Sequence, residues 1–287
     1  MLTAIVSVIA YLILAPLIGG FLAGLDRIIT ARMQGRFGPP VLQPFYDVLK
    51  LREKENITVN RVQDFYVICF FIFVVVTGGF FFAGGSLLLV IFTLTLASVF
   101  LIVAAFSSGS AYAQIGAERE LLQMMAYEPM VLLTAVGFYA YMGSFRVDDI
   151  IQGSNMPLIP LVGIFAGYIF ILTIKFRKSP FDLSMSHHAH QELVAGLKTE
   201  FSGRTLALIE VAHWYENIFL LGIVFLFFVN GTILMTVIGI VVCLLAYFLE
   251  IFIDNSFARM KWQVALNSAW IAALVLGGIN LFVIMIG

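Results

Sequence analysis

Carboxylates and imidazoles concentrate in one stretch of this 287-residue chain, Ser179 to Glu216, which reads SPFDLSMSHHAHQELVAGLKTEFSGRTLALIEVAHWYE. It holds Asp182, Glu192, Glu200, Glu210 and Glu216, and all four histidines: His187, His188, His190 and His213. Glu210, His213 and Glu216 lie three apart, and steps of three drift by only about 60° around a helix, so they form one stripe. Their neighbours, from Leu206 to Leu220, are largely apolar. Ionisable groups inside an apolar helix usually face protein and mark an ion or proton path. A buried structural network would use the same residues. A carboxylate–imidazole–carboxylate row can also pass a proton along, which favours the path over the structural network.

His187, His188 and His190 are too closely spaced for a structural zinc pattern and have no thiol partner. A loop that changes charge near neutral pH is the better reading. Cys69 and Cys243 sit in separate apolar runs and read as small buried hydrophobes, not cluster ligands. No metal or cofactor is expected on this chain.

The elements that must position these groups are membrane helices. The chain is 61% hydrophobic and 11% charged, where a soluble domain carries about a quarter charged residues. The net charge of -1 gives no basic field for nucleic acid. A span needs about 20 apolar residues. Eight segments qualify: Leu2–Leu25, Phe65–Ala83, Leu87–Phe106, Tyr127–Met142, Leu158–Lys175, Leu206–Val229, Ile233–Ile253 and Val264–Ile286. The expected architecture is all-α, one polytopic domain over residues 1–287, with no internal repeat and no cleavable signal. Gly84-Gly85-Ser86 and Asn230-Gly231-Thr232 read as tight turns. The long loops fall at about 26–64, 107–126, 176–205 and 254–263. They and the adjoining helix ends carry every one of the 16 basic residues except Arg146. Positive loops stay cytoplasmic, so both termini are expected outside.

The first loop, ARMQGRFGPPVLQPFYDVLKL, turns at Gly35, Gly38 and Pro39-Pro40. Phe45, Val48 and Leu49 then suit a short interfacial helix, with Asp47 and Lys50 facing water. An ordinary basic loop and a docking surface both fit. The third loop, GAERELLQMMAYEP, places Glu118 and Glu120 around Arg119 and sets Glu128 before Pro129 at a helix start. There Glu128 is either a residue favoured by the helix dipole or a proton carrier. Asp26, Asp64, Glu250 and Asp254 fall near helix ends and are expected at the interface.

QGRFGPPVLQPFYDVLKL, GAERELLQMMAYEP and SPFDL…QELVAG…TEFSG, in that order between spanning helices, resemble the membrane "heel" subunit of respiratory complex I, its subunit 1. The resemblance covers nearly the whole chain. It departs at Ser184–Gln191, where SMSHHAHQ replaces a shorter acidic stretch, and at His213, near which the family carries a glutamate. The SHHAHQEL form is more similar to the equivalent subunit of energy-converting, membrane-bound [NiFe] hydrogenases.

That resemblance implies a non-catalytic subunit of an ion-translocating oxidoreductase complex. The nickel–iron centre and iron–sulfur clusters would lie in other subunits. Implied partners are the hydrogenase large and small subunits, a ferredoxin-like iron–sulfur subunit and an antiporter-like membrane subunit. Glu128, Glu192, Glu210, His213 and Glu216 would carry protons or ions. Asp182, His187, His188, His190 and Glu200 would form a redox-coupling loop. Arg32, Arg36, Gly38, Pro40, Asp47, Glu118 and Arg119 would dock soluble subunits. Two alternatives remain: a quinone-site subunit of a complex I-like dehydrogenase, and a stand-alone secondary transporter. The absence of an inverted repeat counts against the transporter.

Overall fold

A computed structural model describes residues 2–57, 60–153, 155–185 and 193–286. The helices are α1 (Leu2–Met33), α2 (Gln43–Glu53), α3 (Arg61–Phe82), α4 (Leu87–Phe106), α5 (Ala111–Met142) and α6 (Val147–Gln152). They continue with α7 (Val162–Lys175), α8 (Gly203–Leu226), α9 (Ile233–Ser256), α10 (Trp262–Ala272) and α11 (Ile279–Ile286). A wide-turn segment, Ala273–Gly278, joins the last two into one rod. In the absence of water, a helix is how such apolar segments satisfy their backbone hydrogen bonds internally. Asn60 caps α3 through Val62 N, and Thr232 caps α9 through Met235 N.

Among the described residues seven helices are long and apolar enough to cross a membrane: α1, α3, α4, α5, α8, α9 and the α10–α11 rod. The remaining expected segment, Leu158–Lys175, forms α7, of only 14 residues, or about 21 Å. Pro157 and Pro160 hold its first part in turns, because residues preceding proline avoid the helical region. Asn280 of α11 replaces the missing turn: its Oδ1 accepts from Ile164 N at 3.1 Å, and its Nδ2 donates to Pro160 O at 2.9 Å.

Two other expectations change. Residues 27–33 and 111–126, read as loop, prolong α1 and α5 as helix. Glu128 is therefore inside α5, not at a helix start, and Pro129 is accommodated within the same helix. In membrane helices, neighbouring groups can satisfy what a proline leaves unpaired.

Helix α8 packs against α1, α2, α3, α7 and α9, and with α5 it has the largest buried share of the spans. Helix α2 forms as the sequence suggested. It tucks beneath α1 because Gly24 presents no side chain: a Cβ there would lie 1.9 Å from Val41 O. The segment 193–201 lies against α5 at Gly116, where a Cβ would meet Leu197 N at 2.4 Å. The described residues between α7 and α8 are thus drawn onto the bundle, and Lys178, Asp182, Ser184 and Lys198 are buried.

Candidate ion-coupling site

The stripe on α8 meets cations from α7 and the segment after it. Glu216 is buried, with Oε1 3.3 Å from Lys175 Nζ and Oε2 3.3 Å from His213 Nδ1. Lys175 also lies over the Tyr127 ring, 4.0 Å from its centroid. Arg177 sets one guanidinium nitrogen 3.0 Å from His213 Nδ1 and 3.2 Å from Nε2, and another 3.0 Å from Glu120 Oε1. Ser184 Oγ lies against both Glu120 Oε2 and Gln123 Oε1. The result is one continuous polar chain across α5, α7 and α8: Glu120, Arg177, His213, Glu216, Lys175. Arg177 reaches it from a left-handed backbone, φ 52°, a conformation that a non-glycine residue keeps only when its surroundings hold it. Burial works against its charge, but Glu120 and Glu216 outweigh burial and hold the guanidinium ionised.

Beside this chain opens a chamber of about 570 Å³. Its wall includes Lys175, Arg177, His213, Glu210, Asp182 and Asp254. Glu210 lies one turn further out on α8 and pairs with Lys198 at 2.9 Å. Asp182 Oδ1 accepts from Met185 N at 3.2 Å. Burial pushes its carboxyl up to about 6, with the backbone bond and Arg177 pulling the other way. Also on the wall, Lys178 bridges Asp26 of α1 and Asp254 of α9. Asp254 Oδ1 also accepts from Ser179 N at 2.8 Å.

The α8 stripe therefore shares one face as its spacing predicted. Glu128 points elsewhere: it accepts from Thr95 Oγ1 of α4 at 2.5 Å. Glu200 is half-buried, and its carbonyl accepts from Gln63 Nε2 at 3.5 Å. Glu250, expected at an interface, is fully buried. His187, His188, His190 and Glu192 lie outside the described residues. In the first loop Arg36 and Pro40 are exposed, and Arg32 lies over the exposed Phe37 ring at 4.8 Å. Gly38 abuts Ile28, and Asp47 bonds to Arg27 at 2.5 Å rather than facing water alone. Glu118 is exposed, and Arg119 stands over the Trp262 ring at 5.5 Å.

Sequence reasoning missed Glu120, Lys175, Arg177 and Lys178 as members of the site. The signal was present: Lys175, Arg177 and Lys178 close an apolar span, and Glu120 sits eight residues before Glu128 on what proves to be one helix. Among the described residues no group of three or more His, Cys, Asp or Glu could hold a metal ion.

The sequence profile of the NADH dehydrogenase family matches residues 5–285. The chain belongs to that family. It is 27% identical to "Formate hydrogenlyase subunit 4" of Escherichia coli (strain K12) over 275 residues, 87% of this chain and 89% of that protein. It is 29% identical to "NADH-ubiquinone oxidoreductase chain 1" of Arabidopsis thaliana over 295 residues, 90% of this chain and 89% of that one. The fold superposes with a TM-score of 0.87 on a chain of the membrane-bound sulfane sulfur reductase, an archaeal respiratory membrane complex. That pair is 26% identical, covering 98% of this chain and 99% of that one. The protein is thus a multi-pass membrane subunit of the complex I-like and group 4 hydrogenase class of respiratory complexes.

Proposed function

We propose that this chain is the membrane subunit of an energy-converting [NiFe] hydrogenase complex in the plasma membrane. It anchors the soluble redox subunits and couples ferredoxin-linked hydrogen chemistry to movement of H⁺ or Na⁺. The observation that carries this is the buried chain Glu120–Arg177–His213–Glu216–Lys175 opening on a polar chamber. Buried ion pairs contribute little net stability, and hydrophobic replacements often do as well. Five ionisable side chains in an apolar bundle therefore point to charge movement rather than to folding. The similarity to formate hydrogenlyase subunit 4 over most of both chains supports a hydrogenase as the redox partner.

In this reading the segment from Asp182 to Glu200, with His187, His188, His190 and Glu192, senses the charge of a neighbouring iron–sulfur cluster and delivers protons to the chamber. Imidazoles titrate near neutral pH and suit that task. Glu210, His213 and Glu216 receive the proton, and Glu128 lies on its onward route. The exposed first loop, with Arg32, Arg36, Phe37, Pro40 and the Arg27–Asp47 pair, is the docking face, and Glu118 and Arg119 extend it. The hydrogenase large and small subunits and a ferredoxin-like subunit sit there, and an antiporter-like subunit packs alongside in the bilayer. All metal centres belong to those partners.

The test is purification of the tagged chain with its native partners, followed by metal analysis and activity. Stoichiometric nickel and ferredoxin-linked hydrogen chemistry are expected, without effect of quinone-site inhibitors. A nickel-free complex that reduces quinone and is blocked by such inhibitors would replace this reading with the complex I-like one. Recovery of the chain alone, with transport activity, would replace it with the transporter.

A further inference from the structure

Glu250 is the one buried carboxyl among the described residues whose two oxygens both lack a hydrogen-bond partner. Its exposure is 0%. Buried polar groups are paired in the great majority of cases, so an exception needs a reason. Leaving a carboxylate charged and unpaired in apolar surroundings is expensive, and a proton removes the charge.

Its surroundings are specific. Ala246, Tyr247, Glu250 and Ile251 are the buried face of this part of α9, which packs on α1, α7 and α8. Beside Glu250 on that face, Tyr247 and Ile251 pack with Ile218 and Leu221 of α8 and Leu22 and Leu25 of α1. From α7 the Thr173 hydroxyl acts on Glu250 but is not set as a hydrogen-bond donor. The charged groups nearby are Lys178 and Asp254, with Asp26 of α1 completing that bridge. Asp26, Lys178 and Asp254 all line the chamber. Glu250 therefore stands one helical turn behind a chamber-lining acid, on an otherwise apolar face. A hard metal cation would need several oxygen ligands, and among the described residues no such cluster exists.

We propose that Glu250 is a proton-loading site, exchanging one proton with chamber water by way of Asp254. On loading, an O–H bond breaks on Asp254 or on a hydronium in the chamber and one forms on Glu250. On unloading the reverse occurs, and Lys178 remains an ammonium throughout. With the ammonium held by Asp26 and Asp254 the protonated acid is favoured, and an ammonium brought closer favours the carboxylate. This deepens the ion-coupling reading and rests on it for its purpose. It adds a site on α9, apart from the α8 stripe.

The test uses the intact detergent-solubilised complex and dicyclohexylcarbodiimide, which attacks protonated carboxyls in apolar surroundings, with adducts located by peptide mass spectrometry. An adduct at Glu250 is expected, with a yield that falls about tenfold per pH unit once the proton leaves. In reconstituted vesicles Glu250→Gln should lose the adduct and at least about tenfold of the coupled ion uptake. Glu250→Asp, which keeps the acid, should retain part of both. No adduct at Glu250 overturns the proposal. So does a yield independent of pH, which marks a permanently neutral structural acid, or protection by sodium at fixed pH, which marks a metal cation site. Labelling needs no turnover, so a complex found to lack nickel would overturn the hydrogenase reading and leave this one standing.

Discussion

At the scale of single residues, the site is a set of charges that cannot be removed one at a time. Removing one member of a buried pair leaves the other uncompensated, at a cost of about 3–5 kcal/mol. Glu216→Gln should therefore lower stability by that order, because Lys175 loses its carboxylate in a buried position. Lys175→Met with Glu216→Gln should recover most of the loss while leaving ion uptake by the complex abolished. A thermal-melt comparison of the two singles and the double checks the first part. Vesicle uptake checks the second, and full uptake in the double variant would reduce the pair to packing. Asp182 gives a pH signature. Its carboxyl is raised from an ordinary 3.8 to about 6 by burial. The folded state then binds this proton more tightly than the unfolded chain does. Its stabilisation is complete below about pH 4, and is lost as pH rises through about 6, by about 3 kcal/mol at most. Asp182→Asn cannot titrate. The melting temperature of the wild type should therefore fall relative to Asp182→Asn between about pH 4 and 6 and level off above; parallel profiles would show that Asp182 does not titrate there.

At the scale of elements, what was legible in the sequence followed its strongest signals. Continuous apolar runs located the spans, and Gly84 and Gly231 adopt the positive φ that their turns required. The spacing of Glu210, His213 and Glu216 foretold their common face. What was not legible came from partners distant in sequence. Nothing near Arg177 announces that its guanidinium will bridge α5 and α8, because that depends on a left-handed residue and on how three helices cross. Glu250 read as interfacial because it lies near a helix end, and only the packing of α1, α7 and α8 around it shows otherwise. The shortened α7 has the same origin, since its first turn is completed by Asn280, more than 100 residues away. Asn280→Ala should remove both capping bonds and cost about 1–3 kcal/mol. The loss should appear as faster hydrogen exchange at Ile164 and its neighbours, with α8 unchanged. Unaltered exchange there would mean that the prolines alone set the start of α7.

At the scale of the whole molecule, the open question is how a 14-residue helix takes part in a membrane frame. Its 21 Å falls short of a hydrocarbon core of about 30 Å. Both of its ends are nevertheless held against α8. Leu158 N donates to Phe227 O at 3.0 Å, so the approach to α7 lies at the end of α8. At the other end Lys175 bonds to Glu216, and the following segment returns to the start of α8. Helix α7 runs antiparallel to α8 and buries one face in protein, with Ile164, Tyr168, Ile171 and Leu172 all at or below 1% exposure, while Val162 and Ala166 are exposed. Irregular backbone is tolerated where protein covers it or where it meets water; Pro157 and Leu161 are buried and Ile159 is exposed, as expected if the turns at residues 157–161 complete the crossing and reach the surface. The long loops and the helix ends beside them carry every basic residue but Arg146, and positive loops stay cytoplasmic, so a crossing α7 predicts the chamber on the cytoplasmic side and both termini outside. Single cysteines at Ile159, 78% exposed, and at the exposed Thr199 should therefore react with an impermeant thiol reagent from opposite sides of sealed vesicles. Gly231→Cys should behave like Ile159→Cys. Labelling of the Ile159 and Thr199 positions from the same side would show that α7 does not cross, leaving seven spans and putting the two termini on opposite sides.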